Sequence, residues 1–154
     1  MDNEAKVLRN KTGTSQLESA ANKAQAAKDR LRDLIVLQKD LEFHFPEKDY
    51  NVFVFGSYST IRYNNESDVD IAVYTKDLEL YKKISIIIED FFRNRGIPLD
   101  LFYIDINLPA PIYLAPLRAQ IQFTDYFPAE LKEFEKECER ELAKIKRVLE
   151  CTDK

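Results

Sequence analysis

The sequence predicts an α+β domain: a small mixed β-sheet of about four strands with its helices on one face, and long helices at the N- and C-terminal ends. Two features predict this class. Short runs of β-branched and aromatic residues are bounded by glycines, prolines and polar stretches, as is usual for strands. Longer stretches with apolar residues at helical intervals flank and separate these runs. The 154 residues are enough for one domain with one ordinary core.

The first long helix is predicted over residues 15–45. This segment contains neither glycine nor proline, and its leucines and alanines recur at helical spacing. Pro46 should end the helix, because the residue before a proline is pushed out of the helical region. Residues 1–14 carry few apolar side chains, so we predict a disordered tail there and a single domain over residues 15–154.

Three strands and one helix are predicted in the middle of the chain. Val52–Phe55, Val69–Tyr74 and Leu99–Ile104 are short apolar runs typical of buried strands. Between the second and third strands, Leu78–Arg95 carries apolar residues at helical intervals and is followed by Gly96. The predicted order is therefore strand, strand, helix, strand.

The C-terminal part is predicted to contain an edge strand and a last helix. Prolines make residues 109–116 a loop, after which Gln120–Phe123 is predicted as a fourth strand at an edge of the sheet. Pro128 opens a helix that runs to about Glu150, with its apolar residues along one stripe. We expect this stripe to pack on the core.

The charge balance argues against a long nucleic acid as a partner. The chain has 23 basic and 27 acidic residues, which gives a net charge of −4. Affinity for a phosphate backbone comes from clustered lysines and arginines, and a net acidic chain is poor in that source of binding energy. A small molecule or a protein fits this composition better as a substrate.

The residue inventory also disfavours several classes of site. Cys138 and Cys151 lack metal-ligand spacing, and a single histidine, His44, excludes a multi-histidine zinc site. The most apolar run, Ile84–Ile88, is far shorter than the ~20 residues that a membrane span needs. The first residues lack the apolar stretch of a secretory signal. We therefore expect a cytoplasmic protein that does not enter the membrane.

Two aspartates at the start of the second strand form the first candidate functional feature. Side chains alternate along a strand, so Asp68 and Asp70 share one face while Val69 and Ile71 share the other, apolar face. Neighbouring carboxylates repel each other, and a protein that keeps both ionised generally supplies a cation. Ligation by oxygen alone suits Mg²⁺.

The third strand and the first strand complete this feature. Asp100 interrupts an otherwise apolar strand, and it can join Asp68 and Asp70 if the second and third strands pair. Three convergent aspartates are the ligands of a two-metal site for phosphoryl transfer. Gly56 and Ser57 follow the first strand, where a glycine backbone and a serine hydroxyl can hold phosphate oxygens.

This combination resembles the nucleotidyltransferase pattern of the DNA polymerase beta superfamily. In both, Gly-Ser is followed by Asp-x-Asp; here Asp68 stands twelve positions after Gly56, directly after a serine, and Asp100 supplies the aspartate of a later strand. The resemblance covers about residues 43–123 and implies a polymerase beta palm-like fold. The chain length is similar to that of the minimal nucleotidyltransferases, whose relatives include antitoxins that transfer AMP onto a tyrosine of a HEPN-type ribonuclease toxin.

The resemblance implies a role for each motif residue. Asp68 and Asp70 would hold the metal ion that accompanies the nucleotide, and Asp100 would bind a second ion and help to deprotonate the acceptor hydroxyl. The cofactors would be two Mg²⁺ ions, with ATP as the NTP substrate. Gly56 and Ser57 would contact the outer phosphates.

Part of the motif in this chain differs from that of the minimal nucleotidyltransferases. Many of them have a basic residue and a glycine where this chain has Thr60 and Ile61, so Arg62 becomes the nearest candidate cation for the triphosphate. The expected partners are the nucleoside triphosphate and a protein acceptor such as a HEPN-type toxin. A second copy of the chain is an alternative source of the remaining cleft.

Two other functions stay open at this point. One is a catalytically weak, antitoxin-type binding protein that acts by complex formation, which the residues at Thr60 and Ile61 support. The other is a metal-dependent glycosyltransferase using Asp-x-Asp, which gives no reason for Gly56 and Ser57. Tyr58, Tyr63 and Tyr74 are candidates for stacking on a base, although aromatic residues more often lie in a core. The list of candidate site residues is Gly56, Ser57, Arg62, Asp68, Asp70 and Asp100.

Overall fold

The computed structural model describes residues 2–56, 68–126 and 128–152, and within these ranges the side chains of residues 20–56, 68–126 and 128–151. The predicted class is confirmed: four strands form one mixed sheet, with long helices at both ends. None of the described helices is long and apolar enough to cross a bilayer. The elements are α1 (Asp2–His44), β1 (Tyr50–Phe55), β2 (Val69–Thr75), α2 (Leu78–Asn94), β3 (Leu99–Tyr103), a 3-10 turn (Pro111–Tyr113), α3 (Leu114–Leu117), β4 (Ile121–Phe123) and α4 (Ala129–Thr152).

The sheet has the strand order β3-β2-β1-β4. Strand β1 is antiparallel to both of its neighbours, β2 and β4. Strands β2 and β3 are parallel, and α2 provides the crossover that a parallel pair requires. The predicted fourth strand lies at an edge of the sheet, as expected.

The first face of the sheet is covered by α1 and α2. Val52, Val69 and Ile71 are fully buried there, in agreement with the predicted apolar side of β2. Helix α1 contributes Leu37 and Leu41, which are also fully buried. This face carries the larger of the two hydrophobic clusters, in which the central strands pack against α1 and α2.

The second face is also partly covered by helices, which corrects the prediction that the helices lie on one face. Phe53, Ala72 and Tyr74 point to this face and form a second cluster with Leu131 and Phe134 of α4. The apolar stripe of α4 needs an apolar partner surface, and these alternate strand positions provide it. The two ends of the second face therefore differ, because one carries α4 and the other carries aspartates.

Helix α1 begins well before its predicted start. Its bounds are Asp2–His44, whereas the predicted helix started at residue 15. The disordered tail over residues 1–14 stays a prediction. The domain boundary at residue 15 stays a prediction. The helix ends at His44, next to Phe45 and Pro46, as predicted.

Gly96 ends α2 in the predicted manner. Its φ of +66° lies in the left-handed region, where a residue with a side chain pays a steric cost. The Gly96 amide donates to the carbonyl of Arg93, and the Ile97 amide donates to that of Phe92. These bonds satisfy the last helical carbonyls and turn the chain toward β3.

Candidate active site

Asp70 and Asp100 lie side by side on neighbouring strands. The parallel register of β2 and β3 places Asp70 opposite Asp100. Partners in register direct their side chains to the same face of a sheet, which here is the second face. The predicted shared face of these two residues is therefore confirmed. Asp68, just before β2, and Asp100 are both exposed, whereas Asp70 is half-buried.

The charges of Asp68 and Asp100 affect the ionisation of Asp70. The pKa of Asp70 is raised above its ordinary value, first because the carboxyl group is partly buried, and then because of the negative charges of Asp100 and Asp68. A raised pKa means that the ionised form of Asp70 is disfavoured in the folded protein. Positive charge placed among Asp68, Asp70 and Asp100, hereafter the carboxylate site, would relieve this repulsion.

Removing the charge of Asp70 is expected to stabilise the protein in the absence of metal. Because its folded-state pKa is raised, ionised Asp70 costs the folded state free energy at neutral pH, and this cost disappears as the pH falls through that pKa. Asp70→Asn should therefore raise the melting temperature at neutral pH in EDTA. The difference from wild type should vanish once the pH is low enough to protonate the wild-type carboxyl.

A control for this measurement is Asp125→Asn, which changes an exposed carboxylate on the loop after β4. It should leave the melting temperature close to that of wild type. A lower melting temperature for Asp70→Asn than for wild type at neutral pH would contradict the expected repulsion.

Gly56 is packed against Asp70 so closely that no side chain fits between them. The backbone of Gly56 has a φ of +73°, in the left-handed region. A Cβ atom built on it would overlap Asp70 Oδ2 and would lie 3.2 Å from Asp70 Cγ. Glycine at this position therefore does two things: it adopts the left-handed backbone conformation, and it leaves room for the carboxylate.

The remaining phosphate-binding predictions fall outside the described residues. Ser57 and Arg62 lie between residue 56 and residue 68, as do the departures from the family pattern at Thr60 and Ile61. Their assigned roles stay predictions. The described Gly56 and Asp68 mark where this segment leaves and rejoins the sheet.

The donor set of the carboxylate site fits Mg²⁺ by its chemistry. It offers carboxylate oxygens alone, which are the ligands that this ion prefers. Within residues 2–56, 68–126 and 128–152, however, no three His, Cys, Asp or Glu side chains are grouped closely enough to hold a metal ion. Asp68 and Asp100 nevertheless lie near enough to Asp70 to raise its pKa.

Of the three tyrosines that are candidates for base stacking, only Tyr74 lies within the described residues. Tyr58 and Tyr63 lie outside the described residues. Tyr74 is buried, and its ring stacks on that of Tyr126 with a centroid distance of 6.0 Å. Burial also raises the pKa of Tyr74 to about 12, with smaller contributions from neighbours including Tyr126 and Glu130. Tyr74 therefore belongs to the core.

A different pair of aromatic residues lies beside the carboxylate site. Phe55 is the cross-strand partner of Asp70, and Phe102 follows Asp100 by two positions on β3. Both side chains pack at the rim of the second cluster and stay partly exposed. The signal that could have identified Phe102 is its strand parity, which is the same as that of Asp100.

A cleft of about 340 Å³ is found elsewhere on the domain. It is lined by residues from the end of α1, such as Phe45, and from the start of α2, such as Asp77 and Lys83. These elements lie next to Tyr50, the first residue of β1, whereas Gly56 follows Phe55, the last residue of β1. The cleft and Gly56 are therefore at opposite ends of this strand. The cleft contains no residue of the carboxylate site, so its size does not make it the candidate active site.

Comparison with known proteins identifies a matching family and similar solved structures. A family model described as "Nucleotidyltransferase domain" matches residues 34–152. A solved structure described as "Crystal structure of the toxin-antitoxin with AMP-PNP" is 17% identical to this chain, with a TM-score of 0.41. The similarity covers 76% of this chain and 87% of that one. No curated protein sequence matches the chain.

Proposed function

The chain belongs to the nucleotidyltransferase domain family, and from this premise we propose that it transfers AMP from ATP to a hydroxyl group and releases pyrophosphate. The observation that supports this reaction best is the in-register pair Asp70 and Asp100, with Gly56 packed against it. An isolated pair of acidic residues is common on protein surfaces. Here the two residues lie near the starts of two neighbouring parallel strands, and Gly56 packs against one of them, Asp70.

In the proposed reaction the acceptor hydroxyl oxygen attacks the α-phosphorus of ATP. The bond between that phosphorus and the pyrophosphate oxygen breaks, and pyrophosphate leaves with the electron pair. Asp100 takes up the proton of the hydroxyl as a general base. Its exposed carboxylate lies on β3, the edge strand of the sheet, where an acceptor can approach from outside.

Asp68 and Asp70 hold the nucleotide in the proposed complex. Their carboxylates bind the cation that accompanies the triphosphate, while Ser57 and Arg62 contact the phosphates. Mg²⁺, when bound, supplies positive charge that neutralises the phosphates and the charge that develops on the leaving group. Gly56 keeps the space in which the Asp70 carboxylate stands.

The proposed acceptor is a hydroxyl on a partner protein. A net charge of −4 gives little electrostatic attraction to RNA or DNA, and β3 lies at an edge of the four-stranded sheet, where a large partner can approach. A HEPN-type toxin is the acceptor that the family resemblance implies, and it remains part of the proposal.

The test uses ATP labelled at either the α- or the γ-phosphate, incubated with the protein, Mg²⁺ and a candidate partner protein. We expect the α-label, and not the γ-label, to appear on the partner, because nucleotidyl transfer moves the α-phosphate. The partner should gain the mass of one AMP. Label from the γ-position would indicate a kinase instead, and label on added RNA would overturn the choice of acceptor.

A protein that acts by binding its partner, with little catalysis, is the second candidate. It is favoured by Thr60 and Ile61, which stand where many minimal members have a basic residue and a glycine. This candidate requires that the partner be inhibited equally well with and without ATP. Inhibition that depends on ATP and on Asp70 would rule it out.

A further inference from the structure

A row of three aromatic rings leads from the core of the second face to the carboxylate site. We propose that this aromatic row, formed by Phe55, Phe102 and Tyr113, binds the nucleobase of the nucleoside triphosphate. The inference rests on the proposed function. It adds a binding site for the nucleobase, the part of the substrate that the carboxylates do not bind.

The rings of the aromatic row are in contact with one another. The centroids of Phe55 and Phe102 are 5.6 Å apart with the rings nearly perpendicular, and those of Phe102 and Tyr113 are 6.2 Å apart. Tyr113 in turn contacts Phe134 of α4, which is buried. At one end the row therefore packs on the buried core. This contact restricts the positions of its rings, so they present a fixed surface to a bound base.

The other end of the row adjoins the aspartates. Phe55 and Phe102 belong to strands on either side of β2, which are roughly 10 Å apart, yet their rings meet. The small side chain of Ala72, the partner of Phe102 on β2, leaves space for this contact. Phe102 follows Asp100 by two residues, or about 7 Å along the strand. A ribose can span that separation between the α-phosphate and the base.

The row is accessible and lacks charge. Phe55, Phe102 and Tyr113 are each partly exposed, and the neighbouring Ile112 is 68% exposed. Aromatic faces attract bases through stacking, which tolerates any base because every base has a π-face. An apolar aromatic surface beside an acidic site suits the uncharged end of a nucleotide, whereas the triphosphate requires cations.

The proposal is tested by comparing ATP with tripolyphosphate, which carries the phosphates but no base. Wild type should bind Mg·ATP more tightly than Mg·tripolyphosphate. Phe102→Leu keeps an apolar side chain in the rim of the core and removes the ring, so the affinity for ATP should fall by about tenfold. Its affinity for tripolyphosphate should not change. Phe43→Leu is the matched control, because Phe43 is 81% exposed on α1.

A second variant gives an optical signal. The chain contains no tryptophan, so Phe102→Trp introduces a single indole. Its fluorescence should be quenched by Mg·ATP and left unchanged by Mg·tripolyphosphate.

Two results for Phe102→Leu would overturn the inference. An affinity for ATP equal to that of wild type, or an equal loss of affinity for both ligands, shows that the ring does not hold the base. Unchanged affinity for ATP with slower transfer would assign the row to the acceptor. If wild type bound neither ligand, the proposed function itself would fail, and this outcome differs from the others because it does not involve the variant.

Discussion

Replacing Gly56 by alanine is expected to abolish nucleotidyl transfer, whereas the same substitution at Gly96 should preserve it. Both glycines have a positive φ, so alanine costs each of them about 1–2 kcal/mol of backbone strain. At Gly96 nothing lies within 4 Å of the added Cβ. At Gly56 the added Cβ overlaps Asp70 Oδ2, so the carboxylate must move. The displaced carboxylate should no longer hold the cation that accompanies ATP.

The comparison separates a loss of stability from a loss of the site. Both variants should melt a few degrees below wild type, since about 1 kcal/mol corresponds to about 2–4 °C for a domain of this size. Transfer of the α-label should be undetectable with Gly56→Ala and close to the wild-type rate with Gly96→Ala. Equal activity of the two variants would show that the contact with Asp70 has no functional role.

Asp100→Asn is expected to reduce the rate of transfer by about 100-fold or more, with a much smaller effect on nucleotide affinity. General-base catalysis contributes about 10²–10⁴-fold, and an amide cannot accept the proton of the acceptor. Asp68 and Asp70 remain to hold the triphosphate and its cation. Single-turnover transfer rates and ATP affinity should be measured on the same preparation.

Asp105→Asn is the matched control for Asp100→Asn. Asp105 lies two residues beyond the end of β3, and its carboxylate accepts a hydrogen bond of 2.9 Å from the Asn107 amide. Its replacement should leave the transfer rate near that of wild type. If Asp100→Asn instead weakened ATP binding as strongly as Asp70→Asn did, Asp100 would be a nucleotide ligand with no separate role in activating the acceptor.

Strand parity made the carboxylate pair predictable from the sequence. Asp70 stands between Val69 and Ile71, and Asp100 between Leu99 and Leu101, so each apolar pair fixes which face its aspartate must take. The helical crossover between the strands accounts for their parallel orientation, and the observed register places Asp70 opposite Asp100. The same alternation placed the predicted strands within a few residues of the observed ones.

Other features depend on contacts that a linear pattern does not specify. The stripe of Leu131 and Phe134 predicts a buried helix face, but not which side of the sheet it covers, and the expected one-sided arrangement was wrong. The close approach of Gly56 to Asp70 arises because β1 and β2 pair with Phe55 opposite Asp70. Without that pairing, a glycine would suit this position only because of its positive φ. With it, an added Cβ atom would also overlap the Asp70 carboxylate.

The crossover from β2 through α2 to β3 also affects when the two aspartates become neighbours during folding. Asp70 and Asp100 are aligned by one contiguous segment, residues 69–103, whereas β4 reaches β1 from a more distant part of the chain, with Val52 opposite Phe123. The entropic cost of closing a loop rises with its length, and β4 has only three residues to offset that cost. Within the sheet, we therefore expect local opening to begin at β4. A molecule that has opened at that edge still holds Asp70 beside Asp100.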